Sequence, residues 1–342
     1  MGKTTLARRI GAQRSGRVVY LDLELASDDA KLRLAESYLR SHATDLVIID
    51  EIQRRGDLYP LIRALVDEDR RPGRFLLLGS ASPDLKRQAA ESLAGRITYL
   101  ELAPLTLWEV GHDEGTAIRL WSRGGFPPSY LADGDELSVR WREDLIRTYL
   151  ERDLAVLGFR VPAQQLRRFW QMLAHLHGQT WNGARLASSL GVGEPAVKHY
   201  RDILEDTFML RVLPPYFANL GKRLVKSPKV YVRDSGLVHA LLGLDSMEDV
   251  LGHPVAGASW EGWALEQVLA HVPERWQKTY FRTHAGAEVD LILERPGNAP
   301  PRSPSRSSYQ PIRRRERASG RVWQTCAPRP ASSYARGTKS IH

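Results

Sequence analysis

An apolar run that ends in two adjacent carboxylates, between Leu46 and Gln53, constrains the fold of this chain more than any other feature. Four consecutive apolar residues predict a strand that is buried on both faces, as strands of a helix-covered parallel sheet are. Asp50 and Glu51 come at its carboxyl end, which is the edge where such sheets bind ligands. The alternative is that Asp50 and Glu51 bind no ligand and that the strand simply ends at a solvated loop.

The first residues carry part of a phosphate-binding pattern, made of Gly2, Lys3, Thr4 and Thr5. They match the end of G-x-x-x-x-G-K-[ST], in which backbone N–H groups surround the phosphates, the lysine reaches the β and γ oxygens and the hydroxyl binds Mg²⁺. The first glycine of that pattern would lie before Met1, so we expect ATP binding by this chain to be impaired. Apolar residues at helical spacing follow, as the pattern requires.

The two patterns together predict a site for ATP and Mg²⁺. Lys3 is expected to contact the phosphates, Thr4 and Asp50 the metal ion, and Glu51 to orient and deprotonate the attacking water. Either pattern alone arises often by chance, whereas their combination favours an ATPase. The alternative is a non-catalytic protein, associated with DNA or with a protein partner, in which the ATPase core is vestigial.

Further strands and helices in the first 110 residues alternate along the chain. Strands are predicted at residues 18–24 and 75–80, and helices at residues 29–40 and 57–69. This alternation favours βαβ units and a parallel sheet. Ser80, at the end of the last strand, is either a polar sensor of the γ-phosphate or a turn residue. Arg96 is either a phosphate-facing arginine or an ordinary surface arginine.

Several stretches of the chain resemble a known family. They are Gly-Lys-Thr-Thr-Leu-Ala, Val-Ile-Ile-Asp-Glu-Ile-Gln, Leu-Leu-Gly-Ser-Ala-Ser and Ser-Leu-Ala-Gly-Arg-Ile-Thr-Tyr-Leu-Glu-Leu-Ala-Pro-Leu, then Gly124-Gly125-Phe126-Pro127 and residues 149–154 and 220–231. Together they resemble the predicted AAA+ superfamily ATPases of bacteria and archaea that carry an uncharacterised C-terminal module. The resemblance covers about residues 2–295. It implies an α/β P-loop NTPase core that binds ATP and Mg²⁺, then a winged-helix segment and a restriction-endonuclease-like fold.

This resemblance and the changes in sequence pattern suggest five segments. We expect an AAA+-like ATPase core at residues 1–110, a helical connector at 111–162, a winged-helix-like segment at 163–225, an incomplete restriction-endonuclease-like domain at 226–297 and a disordered basic tail at 298–342.

The segment around residues 163–217 has the pattern of a helix-turn-helix with a wing. Apolar residues at helical spacing predict two short helices with Gly191-Val192-Gly193 between them. The exposed face of the second helix carries a mixed set of charges: Lys198, His199, Arg201, Asp202, Glu205 and Asp206. Such a set repels phosphates as well as attracting them. The sequence therefore does not decide whether this segment binds DNA or a protein partner.

A helix with Glu261 at its margin and a strand with Asp290 follow. Restriction-endonuclease-like folds are expected to place a helix glutamate, a strand aspartate and a Glu-x-Lys pair around Mg²⁺. Glu261 and Asp290 match the first two elements, but the one lysine after Asp290 in the sequence is Lys339, which has no glutamate two positions before it. We therefore expect the remnant of a metal site and no nuclease activity.

The basic charge of the chain is concentrated after residue 297. The chain has 49 Lys+Arg and 40 Asp+Glu, a net charge of +9. Residues 298–342 hold ten basic residues against one acid, which accounts for the whole excess. Residues 1–297 carry no net charge, so their charge gives no reason to expect that they bind nucleic acid. We expect the tail to be disordered, as a basic arm or, in the interpretation we favour, as the product of a shifted reading frame.

The remaining sequence features concern the cellular compartment. No apolar run is long enough to span a bilayer, and no signal segment precedes the first helix. Cys326 is the single cysteine of the sequence, so disulfides are excluded from the body. We expect a cytoplasmic protein that does not bind membranes.

Overall fold

The structure is a computed structural model, and it describes residues 2–79, 93–216, 226–283 and 286–297. Ser80 and the tail at residues 298–342, for which roles are predicted above, lie outside the described residues. The described residues form an N-terminal unit, up to residue 97, and a second unit from residue 104 onward.

A parallel sheet is the centre of the N-terminal unit. Its strands are β1 (Val18–Asp22), β2 (Leu46–Asp50) and β3 (Phe75–Leu77), in the order β1-β2-β3. All five residues of β2 are buried, which confirms the strand predicted from its apolar run. The register pairs Asp22 with Asp50, so the acidic ends of two neighbouring strands lie at the same edge of the sheet.

Helices cover both faces of this sheet. They are α1 (Lys3–Gln13), α2 (Ala26–Lys31), α3 (Ala35–Ser41) and α4 (Leu58–Glu68), with 3₁₀ turns at Leu32–Leu34 and Ile52–Arg55. Successive residues of a strand point to opposite faces. Accordingly, Val47 and Ile49 pack in one apolar cluster, whereas Leu46 and Ile48 pack with Ala7 of α1 in another. The sheet is therefore the middle layer of an α/β sandwich.

The second unit is mainly helical. Its helices are α5 (Leu107–Val110), α6 (Glu114–Arg123), α7 (Pro127–Tyr130), α8 (Asp135–Thr148), α9 (Leu154–Val156), α10 (Ala163–His175), α11 (Gly183–Leu190), α12 (Glu194–Asp206), α13 (Ser235–Leu242), α14 (Met247–Gly252) and α15 (Ala256–Leu269). A π-helical turn at Tyr149–Asp153 joins α8 to α9. Of the described helices, none is long and apolar enough to cross a membrane.

Five short strands accompany these helices. They are β4 (Gln179–Thr180), β5 (Leu210–Leu213), β6 (Lys229–Val232), β7 (Gln277–Arg282) and β8 (Glu288–Glu294). The antiparallel sheet has the order β4-β6-β5, and β7 pairs with β8. A parallel bridge between Pro215 and Tyr280 connects the two sheets. One apolar cluster extends from Leu120 to Trp263, so residues on both sides of the expected boundary near 163 share a core.

Buried polar groups fix the turn that contains Gly124 and Gly125. Asp234 accepts hydrogen bonds from the backbone N–H of Gly125, at 2.8 Å, and of Leu237, at 3.0 Å. Gly124 has φ 78°, and a side chain there would begin 2.1 Å from Asp234. The buried Arg142 donates to the carbonyl of Gly236 at 2.9 Å. Close packing within the second unit thus explains the two glycines of the stretch Gly124-Gly125-Phe126-Pro127.

Replacement of Gly262 by alanine is expected to destabilise the second unit. A methyl group at Gly262 would lie 2.2 Å from Nε2 of the buried His177 and 3.1 Å from the ring of Tyr231. We expect the free energy of unfolding to fall by about 1–3 kcal/mol. Gly257→Ala, on the same helix with no atom within 4 Å, is the matched control and should be neutral or slightly stabilising.

Urea unfolding followed by tryptophan fluorescence measures this difference. The nine tryptophans of the sequence all lie after residue 107, so the signal reports on the second unit and the tail. Equal unfolding midpoints for Gly262→Ala and the wild type would mean that His177 moves aside at no cost.

Candidate active site

The two phosphate-site motifs meet at the carboxyl edge of the parallel sheet. Thr4 donates a hydrogen bond from Oγ1 to Oδ2 of Asp50 at 2.6 Å. The other carboxylate oxygen of Asp50, Oδ1, accepts from the backbone N–H of Glu51 at 3.0 Å. Asp50 is only 2% exposed, so both of its oxygens are held in place beside the first turn of α1.

A tyrosine that the sequence patterns did not indicate also binds Asp50. Tyr20 of β1 donates its hydroxyl to Asp50 Oδ2 at 2.6 Å, the oxygen that Thr4 also contacts. The guanidinium of Arg8 lies 5.1 Å above the ring of Tyr20. Burial, together with the hydrogen bond and the charge of Asp50, raises the pKa of Tyr20 to about 12. Tyr20 therefore keeps its proton at neutral pH and orients the carboxylate.

Lys3 lies at the first turn of α1, between that helix and the end of β3. Its Nζ donates to the carbonyl oxygen of Gly79 at 2.7 Å. Gly2 precedes the helix with φ 77°, a conformation that glycine adopts without strain. Thr5 is exposed on the same turn. The amino end of α1 therefore presents backbone N–H groups and an ammonium to one edge of the sheet, an arrangement that suits an anion.

Glu51 has an unusual backbone conformation for a residue with a side chain. Its φ is 54°, in the left-handed region that costs free energy and is often found at functional sites. Its carboxylate accepts a hydrogen bond from Nε2 of Gln53, in the 3₁₀ turn that follows β2. Leu78 anchors this turn through its carbonyl oxygen, which accepts from the N–H of Ile52 at 3.0 Å. Gln53 thus orients the carboxylate of Glu51, and the hydrogen bond to Leu78 holds the backbone of the same turn.

The interpretation of Arg96 as a phosphate-facing residue requires a correction. Its guanidinium binds Asp67 with two hydrogen bonds, at 2.7 and 2.9 Å. Asp67 is in the last turn of α4, and this helix begins after the carboxyl end of β2 and runs back toward the start of β3. Arg96 therefore lies at the edge of the sheet opposite Asp50 and Glu51. The other predicted sensor, Ser80, is outside the described residues.

Glu261 and Asp290 come together in the second unit, around a buried lysine. Nζ of Lys229 lies 3.1 Å from Glu261, 2.8 Å from Asp290 and 2.6 Å from Glu288. Lys229 is 2% exposed. Tyr231 donates its hydroxyl to Glu261 at 2.7 Å. We name this group, Lys229 with Glu261, Glu288 and Asp290, the lysine cluster.

The sequence pattern did not predict the lysine of this cluster, because the Glu-x-Lys spacing places a lysine after Asp290. Lys229 precedes both acids and lies on β6, in the stretch Pro-Lys-Val-Tyr. A buried strand that carries a lysine is unusual, since lysine is almost never buried without a partner. In the part of the chain that the structure describes, no group of three or more His, Cys, Asp or Glu residues could hold a metal ion.

Comparison with family models identifies the N-terminal unit. Residues 1–111 match the model described as AAA domain. The N-terminal unit is similar to this family, and we call the matched region the AAA domain. Residues 115–248 match a second model, Domain of unknown function (DUF8612). The AAA domain thus ends where the connector to the second unit begins, and the second match covers α6 to α13 together with β4, β5 and β6.

Two mycobacterial proteins are similar to most of the chain. Uncharacterized protein Mb2031c of Mycobacterium bovis and Uncharacterized protein Rv2008c of Mycobacterium tuberculosis are each 49% identical to it over 297 residues. The alignment covers 86% of this chain and 66% of each relative. The chain therefore spans slightly less than two thirds of the length of these relatives.

Among solved structures, a RuvB mutant from Thermotoga maritima is similar to this chain. The match has 19% sequence identity and a TM-score of 0.28, and it covers 63% of this chain and 79% of that one. A score of this size carries no argument, so the assignment of the AAA domain depends on its family match and on the α/β fold described above.

Proposed function

We propose that the AAA domain binds ATP with Mg²⁺ and hydrolyses it. The observation that carries this proposal is the hydrogen bond from Thr4 to Asp50, which joins two motifs 46 residues apart. A hydroxyl and a carboxylate that converge at the carboxyl edge of a parallel sheet supply the oxygen ligands that Mg²⁺ prefers.

Each of the site residues has a separate role in the proposed reaction. Lys3 binds phosphate oxygens once its ammonium leaves the carbonyl of Gly79. Thr4, whose hydroxyl donates a hydrogen bond to Asp50, would hold the metal ion together with that carboxylate. Glu51 orients the attacking water and accepts its proton. Mg²⁺, when bound, neutralises the charge on the β- and γ-phosphate oxygens.

Completion of the phosphate loop is expected to strengthen ATP binding. We define the loop-completed protein as this chain extended upstream by an apolar strand and Gly-x-x-x, so that Met1 is the fourth residue between the two glycines and the extension adds backbone N–H donors in a pre-shaped loop. Its Kd for ATP should be at least tenfold lower, a difference of about 1.4 kcal/mol. Calorimetry with ATP and Mg²⁺ on both proteins measures it.

The control for this comparison is an extension of equal length in which valine replaces the loop glycine. Equal affinities for all three proteins would contradict the proposed role of the loop. Absence of ATP binding and of turnover in the loop-completed protein would contradict the whole proposal, and it would favour the non-catalytic alternative, a protein associated with DNA or with a partner.

We also propose that residues 163–225, with β6 completing their sheet, form a winged-helix-like segment that docks a partner. The order α10, β4, α11, α12, β5, β6 supports it, as does the turn at Gly191, which has φ 71°. On α12, the exposed residues include Lys198 and His199 but also Glu205. Retention of duplex DNA that falls steeply with salt and is lost in Lys198→Glu would favour DNA, whereas no retention favours a protein partner.

The lysine cluster favours a second candidate function, hydrolysis of a phosphodiester in nucleic acid with Mg²⁺. Glu261 and Asp290 are its proposed metal ligands, and Lys229 supplies the lysine that the sequence pattern did not predict. Mg²⁺ often uses only one or two carboxylates with water and substrate phosphate completing its shell. Cleavage of DNA that requires Mg²⁺ and is lost in Asp290→Ala tests this function. No cleavage would leave the cluster as an ion-pair link between β6, α15 and β8.

A further inference from the structure

Gln53 lies beside the proposed catalytic carboxylate, and one end of its amide has a partner there. Nε2 of Gln53 donates a hydrogen bond to the carboxylate of Glu51. This contact fixes the orientation of the amide, because a reversed amide would place two acceptor oxygens against each other. The oxygen of the amide, Oε1, must therefore face away from Glu51.

The oxygen Oε1 of Gln53 is buried and, among the described residues, receives no hydrogen bond. A buried polar atom without a partner costs free energy, and each example in a native structure calls for an explanation. The oxygen also lies close to the end of β3. A methyl group at Gly79 would be 2.9 Å from it, and the carbonyl of Gly79 binds the ammonium of Lys3 at 2.7 Å.

The backbone around Gln53 keeps this acceptor in place. The 3₁₀ turn Ile52–Arg55 is held by the 3.0 Å hydrogen bond from Ile52 to the carbonyl of Leu78. Ile52 itself is 4% exposed and packs in the core of the AAA domain. The free amide oxygen is therefore positioned between the carboxylate of Glu51 and the strand end that anchors the phosphate-binding lysine.

We infer that Gln53 orients the attacking water in ATP hydrolysis, with Oε1 as the acceptor for one of its protons. This inference rests on the proposed ATPase function. A water molecule needs two acceptors to aim its lone pair at phosphorus, and glutamine serves this purpose in other phosphoryl-transfer enzymes. Glu51 provides the first acceptor and Gln53 the second.

The hydrolytic step balances with these two residues. The water oxygen forms a bond to the γ-phosphorus while the bond between that phosphorus and the bridging oxygen breaks, and its electron pair leaves on ADP. One proton of the water goes to the carboxylate of Glu51. The other proton stays on the oxygen that becomes part of inorganic phosphate, and its hydrogen bond to Gln53 holds the water in line.

Gln53→Leu, which keeps the volume but has no polar atoms, is the principal test. We expect turnover in single-turnover assays to fall at least about tenfold, while the Kd for ATP stays within about threefold. The assays use the full chain and the loop-completed protein in parallel. Arg54→Leu, an exposed residue of the same turn whose ion pair is with Glu24 at 3.8 Å, is the matched control and should keep wild-type turnover.

Two further variants separate water orientation from a purely structural role. Gly79→Ala places a methyl group 2.9 Å from Oε1, which is too close for an ordinary contact, so it should displace the amide and reduce turnover as Gln53→Leu does. Gln53→Glu presents the same donor and acceptor as glutamine only when its carboxyl is protonated. Because the ordinary pKa of a glutamate carboxyl is about 4.3, its turnover relative to the wild type should rise as the pH falls toward about 5.

The outcomes distinguish this inference from the ATPase proposal. If the wild-type proteins neither bind nor hydrolyse ATP, the ATPase proposal fails, and this inference fails with it. If they hydrolyse ATP and Gln53→Leu does so at the same rate, only the role of Gln53 is overturned. A loss of ATP affinity equal to the loss of turnover also overturns it, because that result indicates a structural contribution.

Discussion

Glu51→Gln in the loop-completed protein is expected to keep the affinity for ATP and to lose most of the turnover. The amide retains the shape and the hydrogen-bonding reach of the carboxylate but cannot accept a proton from water. General-base catalysis contributes about 100- to 10,000-fold to such reactions, so we expect kcat to fall at least about 100-fold. Calorimetry with ATP and a phosphate-release assay measure the two quantities separately.

Lys3→Ala provides the contrasting variant for this prediction. Lys3 is placed to bind the phosphates before the chemical step, so its removal should weaken ATP binding first, with turnover lost as a consequence. Retained hydrolysis in Glu51→Gln would remove Glu51 from the mechanism. Its left-handed backbone, with φ 54°, would then be explained only by the sharp turn after β2.

The elements that the sequence predicted well are those whose signal is local. The run before Asp50 is apolar at every position, and only a strand covered on both faces explains it, as the burial of β2 confirms. The spacing of Leu58, Ile62 and Leu65 likewise defines the buried face of α4. In such cases the pattern along the chain and the packing in space carry the same information.

The contacts that the sequence did not predict depend on which elements become neighbours. Tyr20 reaches Asp50 because β1 lies next to β2 in the sheet, and the order of strands cannot be read from either strand alone. The sequence left Arg96 as either a phosphate-facing arginine or an ordinary surface arginine. Its actual partner, Asp67, is at the far end of α4, and only the path of that helix places the two together.

Lys229 shows the same limitation for a site in the second unit. A fixed Glu-x-Lys spacing describes residues on one strand, whereas the structure takes the lysine from β6 and the acids from α15 and β8. A search for a lysine on any buried strand next to the two acids, with no fixed spacing in the sequence, would have found Lys229. The useful sequence signal was the lysine in Pro-Lys-Val-Tyr, directly before three apolar or aromatic positions.

Lys229→Met is expected to destabilise the second unit strongly. The variant keeps the length and apolar stem of the side chain but leaves the carboxylates of the lysine cluster facing one another without the ammonium. Loss of one partner from a buried ion pair costs about 3–5 kcal/mol. Because the three carboxylates are 24–31% exposed, we expect the lower end of this range.

The pH dependence of this difference identifies its cause. Burial lowers the pKa of Lys229, but the charge of Glu261 and the hydrogen bonds of Asp290 and Glu288 outweigh it, so the pKa lies above the usual 10.5. The stabilisation by the ammonium is therefore complete below pH 10.5 and is lost as the pH rises through the folded-state pKa. Urea unfolding followed by tryptophan fluorescence should show that the free energies of unfolding of the wild type and Lys229→Met differ by a constant amount at pH 7–9 and by a smaller amount above pH 10.5.

The exposed Lys198→Met is the control and should change the free energy of unfolding by less than about 0.5 kcal/mol. A Lys229→Met variant as stable as the wild type would mean that the ammonium of Lys229 gives the lysine cluster no net stabilisation.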